Sequence, residues 1–456
     1  MVSNLSTTKN VMTGTFLAIF FFILNLTSTS QAENYYGYKL ISFKVNNEVG
    51  QWLGDFNEEN SYIVNEKEGT RRLIMDILGE PSKYKDTAEV LIAPEFYDMF
   101  VQALREQGID EVKVIKKDIG NEIRRERKEM QRSKARSRRA LHNAMNFDDK
   151  NYHSYQDMVD FMVKLAEQKP DLVQLLNITN SFEGRRIYGV RIRKQAPIKP
   201  SILVDAGVHA REWIAPAVAL HMIKKLVTSY DRDPKITRMI NKFDWYIIPQ
   251  VNPDGYEYSR TKDRLWRKTR SLNSTVNKWC TGTDANRNWG YRWGEVGANR
   301  SPCSNIYAGS RPYSEPEVAG LKDFITWNIP NLQIYVSLHS YGQLFLSPWG
   351  YTMQKPSNYW DQRNAARAAV IAMKNATGVN YNFGSISEIM YPASGTSIDY
   401  MQHRGVPYIY GVELRPLDSI NGYAFSLPPR YIEPTGDEML AGLLAIAEYA
   451  VVQKRL

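Results

Sequence analysis

One strand-to-helix connection constrains the fold more than any other feature of the chain. The segment SILVDAG (201–207) is short, apolar and ends in glycine, as a buried strand does. Apolar residues then recur at helical spacing in IAPAVALHMIKKLV (214–227), where Pro216 fits only the first turn of a helix. The loop between the two segments carries His209 and Glu212. Ligands of open α/β sheets usually bind beyond the carboxyl ends of strands, so this loop is a candidate binding site.

The rest of the chain after residue 140 also alternates strand-like and helix-like segments. This pattern predicts an α/β domain in which helices flank a largely buried, mixed central sheet. The predicted strands are 201–207, 245–251, 334–338 and 408–414, and the predicted helices are 153–168, 214–228, 315–327, 359–376 and 436–453.

The chain has 456 residues, enough for more than one domain, and residues 36–119 follow a different pattern. They predict a small α+β sandwich. We assign it no chemistry, because its sequence has no cluster of histidine, cysteine or paired carboxylates. Its predicted strands are 38–45, 73–78, 88–93 and 111–117, and its predicted helix is 94–108.

A basic stretch, RRERKEMQRSKARSRR (124–139), separates the two parts. It is either a solvated basic helix or a protease-sensitive linker, and we favour the linker because it divides two differently organised regions. Much of the formal net charge of +9 lies here, so that charge does not indicate a nucleic-acid partner.

The amino terminus predicts secretion. Lys9 precedes the apolar run TFLAIFFFILNL (15–26), and small residues follow it up to Ala32, the expected end of a signal peptide. A signal anchor is the alternative, but the run is short for a membrane span, so we expect a soluble protein without stable membrane association. The two cysteines, Cys280 and Cys303, favour one disulfide in an oxidising compartment over zinc ligation.

His339 follows the strand-like IYVSL (334–338), which delivers it to a carboxyl end. With His209 and Glu212 it would complete a shell of two imidazoles and one carboxylate, the composition of a catalytic zinc site. Such a site polarises a carbonyl and activates water near neutral pH. Any lone histidine can instead be a structural polar residue, and we interpret His221 and His403 in that way.

Three further charged side chains fit the same chemistry. Glu413 lies among apolar residues in YIYGVEL (408–414), where burial would raise its pKa towards the range of a general base. A glutamate on an edge strand is the alternative. Arg267 and Arg287 lie in RLWRKTR and DANRNW, which are either solvated surface or anchors for a carboxylate-bearing substrate.

Seven motifs follow one another along the second part of the chain: HAREW (209–213), NPDGYEYS (252–259), RLWRKTRS (264–271), DANRNW (284–289), LHSYGQ (338–343), YPASGTSIDY (391–400) and VELR (412–415). In this order they resemble the motifs of zinc metallocarboxypeptidases of the pancreatic A/B type, the M14 family, in preproenzyme form. The domains that the resemblance implies are a signal peptide (1–32), an activation propeptide domain (33–120), a basic connecting helix with the cleavage site (121–139) and a catalytic domain (140–456).

The resemblance also implies a role for each matching residue. The ligands of one zinc ion per chain would be His209, Glu212 and His339. The other implied roles are general base for Glu413, oxyanion stabilisation for Arg267, grip on the substrate carboxylate for Asn286 and Arg287, closure over it for Tyr391, more distant subsites for Arg211, orientation of the first histidine for Asp284, and a family disulfide for Cys280 and Cys303.

Substrate preference depends on the far end of the side-chain pocket, which the resemblance places at Ile398, supported by Ile386 and widened at Gly411. An apolar pocket would leave a substrate ammonium unpaired, so we predict release of aliphatic or aromatic C-terminal residues, the A type. A B-type enzyme that removes Lys or Arg and a non-catalytic secreted peptide-binding protein are the alternatives. A trypsin-like protease would activate a monomeric zymogen after Arg138 or Arg139.

Overall fold

The computed structural model describes residues 35–46, 48–50, 52–54, 62–65, 70–137, 144–194, 198–272, 280–419 and 424–454. The predicted signal peptide and the candidate cleavage residues Arg138 and Arg139 lie outside these ranges. Within them, no helix combines the length and the apolar character that crossing a membrane requires.

The amino-terminal domain has a four-stranded antiparallel sheet in the order β4-β5-β1-β6, the helices α1 and α2, and a separate β2-β3 pair. Side chains such as Leu40, Val90, Phe100 and Leu104 form its core. Each fully buried aliphatic or aromatic side chain of this kind contributes roughly 1.5–3 kcal/mol. The elements are β1 (Lys39–Lys44), β2 (Tyr62–Asn65), β3 (Thr70–Leu73), β4 (Met75–Gly79), β5 (Thr87–Ile92), α1 (Tyr97–Glu106), β6 (Val112–Lys116) and α2 (Ile119–Ser137).

The carboxyl-terminal domain is built on an eight-stranded sheet in the order β13-β12-β14-β11-β9-β10-β8-β7. The central strands β14, β11, β9 and β10 are parallel, whereas the β12-β14, β10-β8 and β8-β7 pairs are antiparallel, so the predicted mixed sheet is confirmed. The strands are β7 (Val173–Asn180), β8 (Arg186–Ile192), β9 (Ser201–Ala206), β10 (Asp244–Ile248), β11 (Leu332–Ser340), β12 (Leu344–Ser347), β13 (Asn382–Ser385) and β14 (Tyr408–Leu414).

Helices cover both faces of this sheet. One face carries the larger core, to which α3, α4, α5, α8 and α11 contribute, and the other packs against α7 and α10. The helices are α3 (Tyr155–Gln168), α4 (Ile214–Ser229), α5 (Pro234–Lys242), α6 (Pro253–Thr261), α7 (Pro316–Asn328), α8 (Tyr359–Thr377), α9 (Ile386–Ile389), α10 (Ser397–His403) and α11 (Ile432–Lys454).

Every helix and strand that the sequence predicts in this domain is present, and Pro216 lies in the first turn of α4. The strands β7, β8, β12 and β13 are not predicted from the sequence. The strands β7 and β8, at one end of the sheet, mix exposed and buried positions irregularly, and β12 and β13 have only four residues each, so neither pair shows a clear strand period.

Candidate metal centre

The loop between β9 and α4 presents two polar side chains at the carboxyl edge of the sheet. The chain leaves β9 at Gly207, whose φ of 71° favours glycine. A Cβ atom at this position would lie 2.2 Å from the side-chain oxygen of Gln250, so the close approach also requires glycine. The loop therefore turns immediately after the strand and directs His209 and Glu212 to the sheet edge, where β11 delivers His339.

The three predicted ligand side chains meet at one point. The Nδ1 atoms of His209 and His339 are 3.2 Å apart, and the carboxylate of Glu212 lies 2.8 Å from the first and 3.1 Å from the second. All three residues are buried, and their ligand atoms lie within 4.8 Å of one another. Two imidazoles and one carboxylate match the donor set of a catalytic zinc site, so the group could hold a zinc ion.

The charge of this cluster suits a cation. Although burial disfavours the ionised carboxylate, His209 and His339 hold the pKa of Glu212 well below its usual range. The backbone N–H of Ser340 also donates to Glu212, over 3.2 Å. Glu212 is therefore a fixed anion between two imidazoles.

Asp284 lies behind the first histidine, as the sequence predicts. Its Oδ1 atom is 3.2 Å from Nε2 of His209, the ring nitrogen that faces away from the cluster. Its Oδ2 atom accepts from Nη2 and Nε of Arg267, over 2.9 and 3.1 Å. Burial opposes ionisation, but Arg267 and His209 hold the pKa of Asp284 well below its usual range. One carboxylate thus contacts both a predicted ligand histidine and the arginine beside it.

Glu413 lies on a central strand, so the edge-strand alternative is wrong. β14 runs between β12 and β11, and Glu413 pairs in register with His339 on the parallel neighbour β11. Its side chain is partly accessible and lines the same cleft as the three ligand residues. Burial raises the pKa of Glu413 to about 8, and the charge of Glu212 adds to that rise.

The predicted carboxylate-binding residues line the cleft beside this cluster. Asn286 and Arg287 lie in the 3-10 turn Ala285–Arg287, directly after Asp284. Arg287 donates from Nε to the carbonyl of Gly297 over 2.6 Å, which fixes the buried guanidinium. Tyr391 lines the cleft as well, where burial raises its pKa to about 12.

The predicted pocket residues are also in this cleft. Ile398 and Ile386 are buried and line it together with Gly411. A Cβ atom on Gly411 would make ordinary contact with Ile398, 3.6 Å from its Cγ1 atom. The absence of that methyl group leaves the cleft wider at this point. Cys280 and Cys303 form a disulfide, as predicted, and neither lines the cleft.

Arg211, a predicted substrate contact, pairs with a residue of the amino-terminal domain. Its guanidinium pairs with Asp76 on β4 and lies over the ring of Phe425, 4.4 Å from the centroid. Both Arg211 and Asp76 are buried. The amino-terminal sequence shows no cluster that predicts chemistry, so this contact is not predicted from the sequence.

Comparison with known proteins identifies the family of this chain. The sequence pattern of the family described as Peptidase_M14, zinc carboxypeptidase, matches residues 158–442. The chain belongs to the zinc carboxypeptidase family. It is therefore a metallopeptidase with zinc as its cofactor, and peptide C-termini are its substrates. His209, Glu212 and His339 are the side chains that would hold the ion.

This carboxypeptidase is similar both to relatives named carboxypeptidase A and to a relative named carboxypeptidase B. It is 35% identical to carboxypeptidase A2 of Rattus norvegicus over 393 residues, which is 86% of this chain and 91% of the relative. It is 39% identical to carboxypeptidase B of Astacus astacus over 299 residues, 65% of this chain and 96% of the relative. Identity alone therefore does not separate the A type from the B type.

Solved structures share the fold over nearly the whole chain. Carboxypeptidase A from Helicoverpa armigera superposes with a TM-score of 0.81 and 25% identity, over 93% of this chain and 100% of that one. Thrombin activatable fibrinolysis inhibitor superposes with a TM-score of 0.77 and 29% identity, over 92% of this chain and 99% of that one. The fold that the sequence predicts is confirmed.

Proposed function

We propose that this carboxypeptidase is the secreted zymogen of an A-type enzyme, which releases aliphatic or aromatic C-terminal residues. The observation that carries the preference is the apolar part of the cleft, which Ile398, Ile386 and Gly411 line. A lysine or arginine side chain entering there would lose its hydration without gaining a carboxylate partner, and such a loss is costly. An apolar side chain gains burial at the same place.

The carboxylate that follows Ile398 in the chain is engaged elsewhere. Asp399 accepts backbone N–H groups from Gly350 over 2.8 Å and from Tyr351 over 3.0 Å. Burial raises its pKa to about 7. Asp399 is thus tied to the backbone of the Gly350 turn, which supports the A type over the B type.

The side chains around the metal centre have separate roles in substrate binding and hydrolysis. Arg287 and Asn286 would hold the substrate's terminal carboxylate and so select the last peptide bond. Glu413 would accept a proton from water and return it to the leaving amine, and Arg267 would stabilise negative charge on the scissile carbonyl oxygen. Zinc, when bound, polarises that carbonyl and makes water more acidic.

Latency is the second part of the proposal. The end of β4 and the following segment, including Leu78, Glu80 and Lys85, line the same cleft as the ligand residues. Three carboxylates of the amino-terminal region also bind the catalytic domain: Asp76 pairs with Arg211, Glu89 accepts from Tyr341 over 2.7 Å, and Glu126 accepts from Arg264 over 2.6 Å. These contacts support a covered cleft that opens when a trypsin-like protease cuts after Arg138 or Arg139.

The experiment is an assay of released C-terminal residues. The secreted full-length protein is incubated with peptides that differ only in their last residue, before and after limited trypsin treatment and quenching, with and without a zinc chelator. We expect chelator-sensitive release of Phe, Tyr, Leu or Met from the cut protein and little release from the uncut protein. Equal activity of the uncut chain on large peptides would contradict latency.

A matched variant tests the pocket assignment. Ile398→Asp places a carboxylate at the apolar end and leaves the ligand residues unchanged. We expect the rate of Lys and Arg release relative to Phe and Leu release to rise by more than about tenfold, because the added carboxylate forms an ion pair with the cationic substrate side chain. Release of Lys or Arg by the parent would overturn the A-type assignment. No release at all from folded, zinc-loaded protein would favour the peptide-binding alternative.

A further inference from the structure

Each ligand histidine has a second ring nitrogen that faces away from the metal centre, and the two nitrogens meet different partners. Nε2 of His209 faces the carboxylate of Asp284 directly, over 3.2 Å. Nε2 of His339 faces the hydroxyl of Ser337, also over 3.2 Å. The sequence predicted the first partner and missed the second.

The hydroxyl of Ser337 is itself held by a buried carboxylate. Its oxygen lies 2.6 Å from Oδ1 of Asp205, while the hydroxyl of Tyr335 lies 2.6 Å from Oδ2 of the same residue. Asp205, Ser337 and Tyr335 are fully buried. The register of the two strands places Ser337 on β11 directly opposite Asp205 on β9. Tyr335, Ser337 and His339 are every second residue of β11, so their side chains lie on the same face of the sheet.

The direction of these hydrogen bonds is fixed by chemistry. The Ser337 hydroxyl has one hydrogen and two lone pairs, so it can donate to Asp205 and accept from Nε2 of His339 at the same time. Nδ1 of His339 faces the other two predicted ligand side chains, at 3.2 Å from Nδ1 of His209 and 3.1 Å from the carboxylate of Glu212. A ring that gives its Nδ1 lone pair to a metal carries its proton on Nε2, so Nε2 of His339 donates to the Ser337 oxygen.

We infer that Asp205 and Ser337 are positioning residues for the metal centre, which act through His339 to hold it in the tautomer and orientation that bind zinc. This rests on the zinc-dependent function proposed above. The two ligand histidines differ in their outer partners. The carboxylate of Asp284 contacts His209 directly, whereas the hydroxyl of Ser337 lies between the carboxylate of Asp205 and His339. Outer partners of ligand histidines are typically worth 10- to 100-fold in metal affinity.

The test measures zinc affinity, not activity. The full-length protein is stripped with a chelator, and zinc is returned in competition with a chromophoric chelator. We expect Ser337→Ala and Asp205→Asn each to weaken zinc binding by roughly 10- to 100-fold. Ser337→Ala removes the acceptor for Nε2, and the amide of Asp205→Asn can donate to Ser337 and reverse the hydrogen-bond direction.

Tyr335→Phe is the matched control. It removes the other hydroxyl donor to Asp205, at an equally buried position on the same strand, but it does not lie between Asp205 and His339. We expect it to lower thermal stability and to keep the parent's zinc affinity. Thermal unfolding of the apoproteins separates folding defects from binding defects. The visible absorption of the Co²⁺-substituted proteins should change for Ser337→Ala and remain parental for Tyr335→Phe.

The outcomes separate this inference from the proposed function. If Ser337→Ala and Asp205→Asn bind zinc as tightly as the parent, the positioning role is wrong. If Tyr335→Phe loses as much affinity as Ser337→Ala, the effect is general loosening of the core, and the role is also wrong. Failure of the parent itself to bind zinc would instead overturn the zinc-dependent function.

Discussion

Two groups of histidine and carboxylate in the catalytic domain differ in what the imidazole nitrogens face. In the metal centre, His209 and His339 each commit one ring nitrogen to an outer partner and direct the other to a shared point. In the second group, both nitrogens of His221 face carboxylates, Nδ1 at 2.9 Å from Asp149 and Nε2 at 3.0 Å from Asp437. All three histidines are buried, so burial alone does not distinguish them.

The difference lies in how many ring nitrogens face an outer partner and not in the direction of the pKa shift, because Glu212 raises the pKa of His339 as well, against the effect of burial. A neutral imidazole with one committed nitrogen keeps a lone pair on the other and can bind a metal. A ring between two carboxylates is most stable with both nitrogens protonated and then has no lone pair to give. Burial opposes the charge on His221, but the hydrogen bonds to Asp149 and Asp437 outweigh it and raise the pKa of His221. The sequence interpretation of His221 as structural agrees with this arrangement.

The largest effect should follow from breaking the metal centre itself. Glu212→Gln removes the anion between the two histidines, so we expect zinc affinity to fall by more than about 100-fold, since outer partners alone are worth 10- to 100-fold. His221→Gln should keep the parent's affinity, because its ring belongs to the other group. Zinc content after dialysis and competition with a chelator measure both. Zinc retention by Glu212→Gln would remove this residue from the ligand set.

A smaller and sharper comparison changes one carboxylate in each group. Asp284→Asn should weaken zinc binding by roughly 10- to 100-fold, because the amide orients His209 less firmly. Asp149→Asn should leave zinc affinity unchanged and cost on the order of 1–3 kcal/mol of unfolding free energy, since it leaves a buried cation short of a partner. Titration with zinc and chemical denaturation of the apoprotein measure the two effects. Equal losses of zinc affinity in both variants would erase the distinction between the groups.

The ligand set could be predicted from the sequence because each member lies near the carboxyl end of an apolar, strand-like segment or in the loop that follows it. His339 and Glu413 pair in register on the parallel strands β11 and β14, so two polar residues at strand ends necessarily lie at one edge of the sheet. His209 and Glu212 reach the same edge from the loop after β9. The order of the motifs then identified the family, and the helix and strand periods gave the fold class.

The outer partners of His339 could not be predicted in the same way. Asp205 and Ser337 are 132 residues apart, each inside an apolar strand, and they meet only because β9 and β11 are neighbours in one particular register. The contacts of Asp76 and Glu89 could not be predicted from the sequence for the same reason. Each is an ordinary carboxylate in its own strand, and its partner, Arg211 or Tyr341, depends on how one domain docks on the other.

The pH dependence of stability should show the smallest effect and still separate the groups. Because the pKa of His221 is raised on folding, its stabilising contribution is fully present below its unfolded pKa of about 6.5 and is lost as the pH rises through the folded pKa. The pKa of Asp149 is lowered, so its contribution is present above about 3.9 and is lost as the pH falls through the folded pKa. The group therefore stabilises most between about pH 4 and pH 6.5.

His221→Gln tests this window in the metal-free protein. The difference in unfolding free energy between parent and variant should be larger at about pH 5.5 than at about pH 9, because only the parent loses a charged hydrogen-bonded ring as the pH rises. Chemical denaturation at the two pH values measures it. An equal difference at both would mean that the ring is neutral in the folded protein. His221 would then keep a lone pair on one ring nitrogen although both nitrogens face carboxylates. Only the position of Glu212 between His209 and His339 would then distinguish the metal centre from the second group.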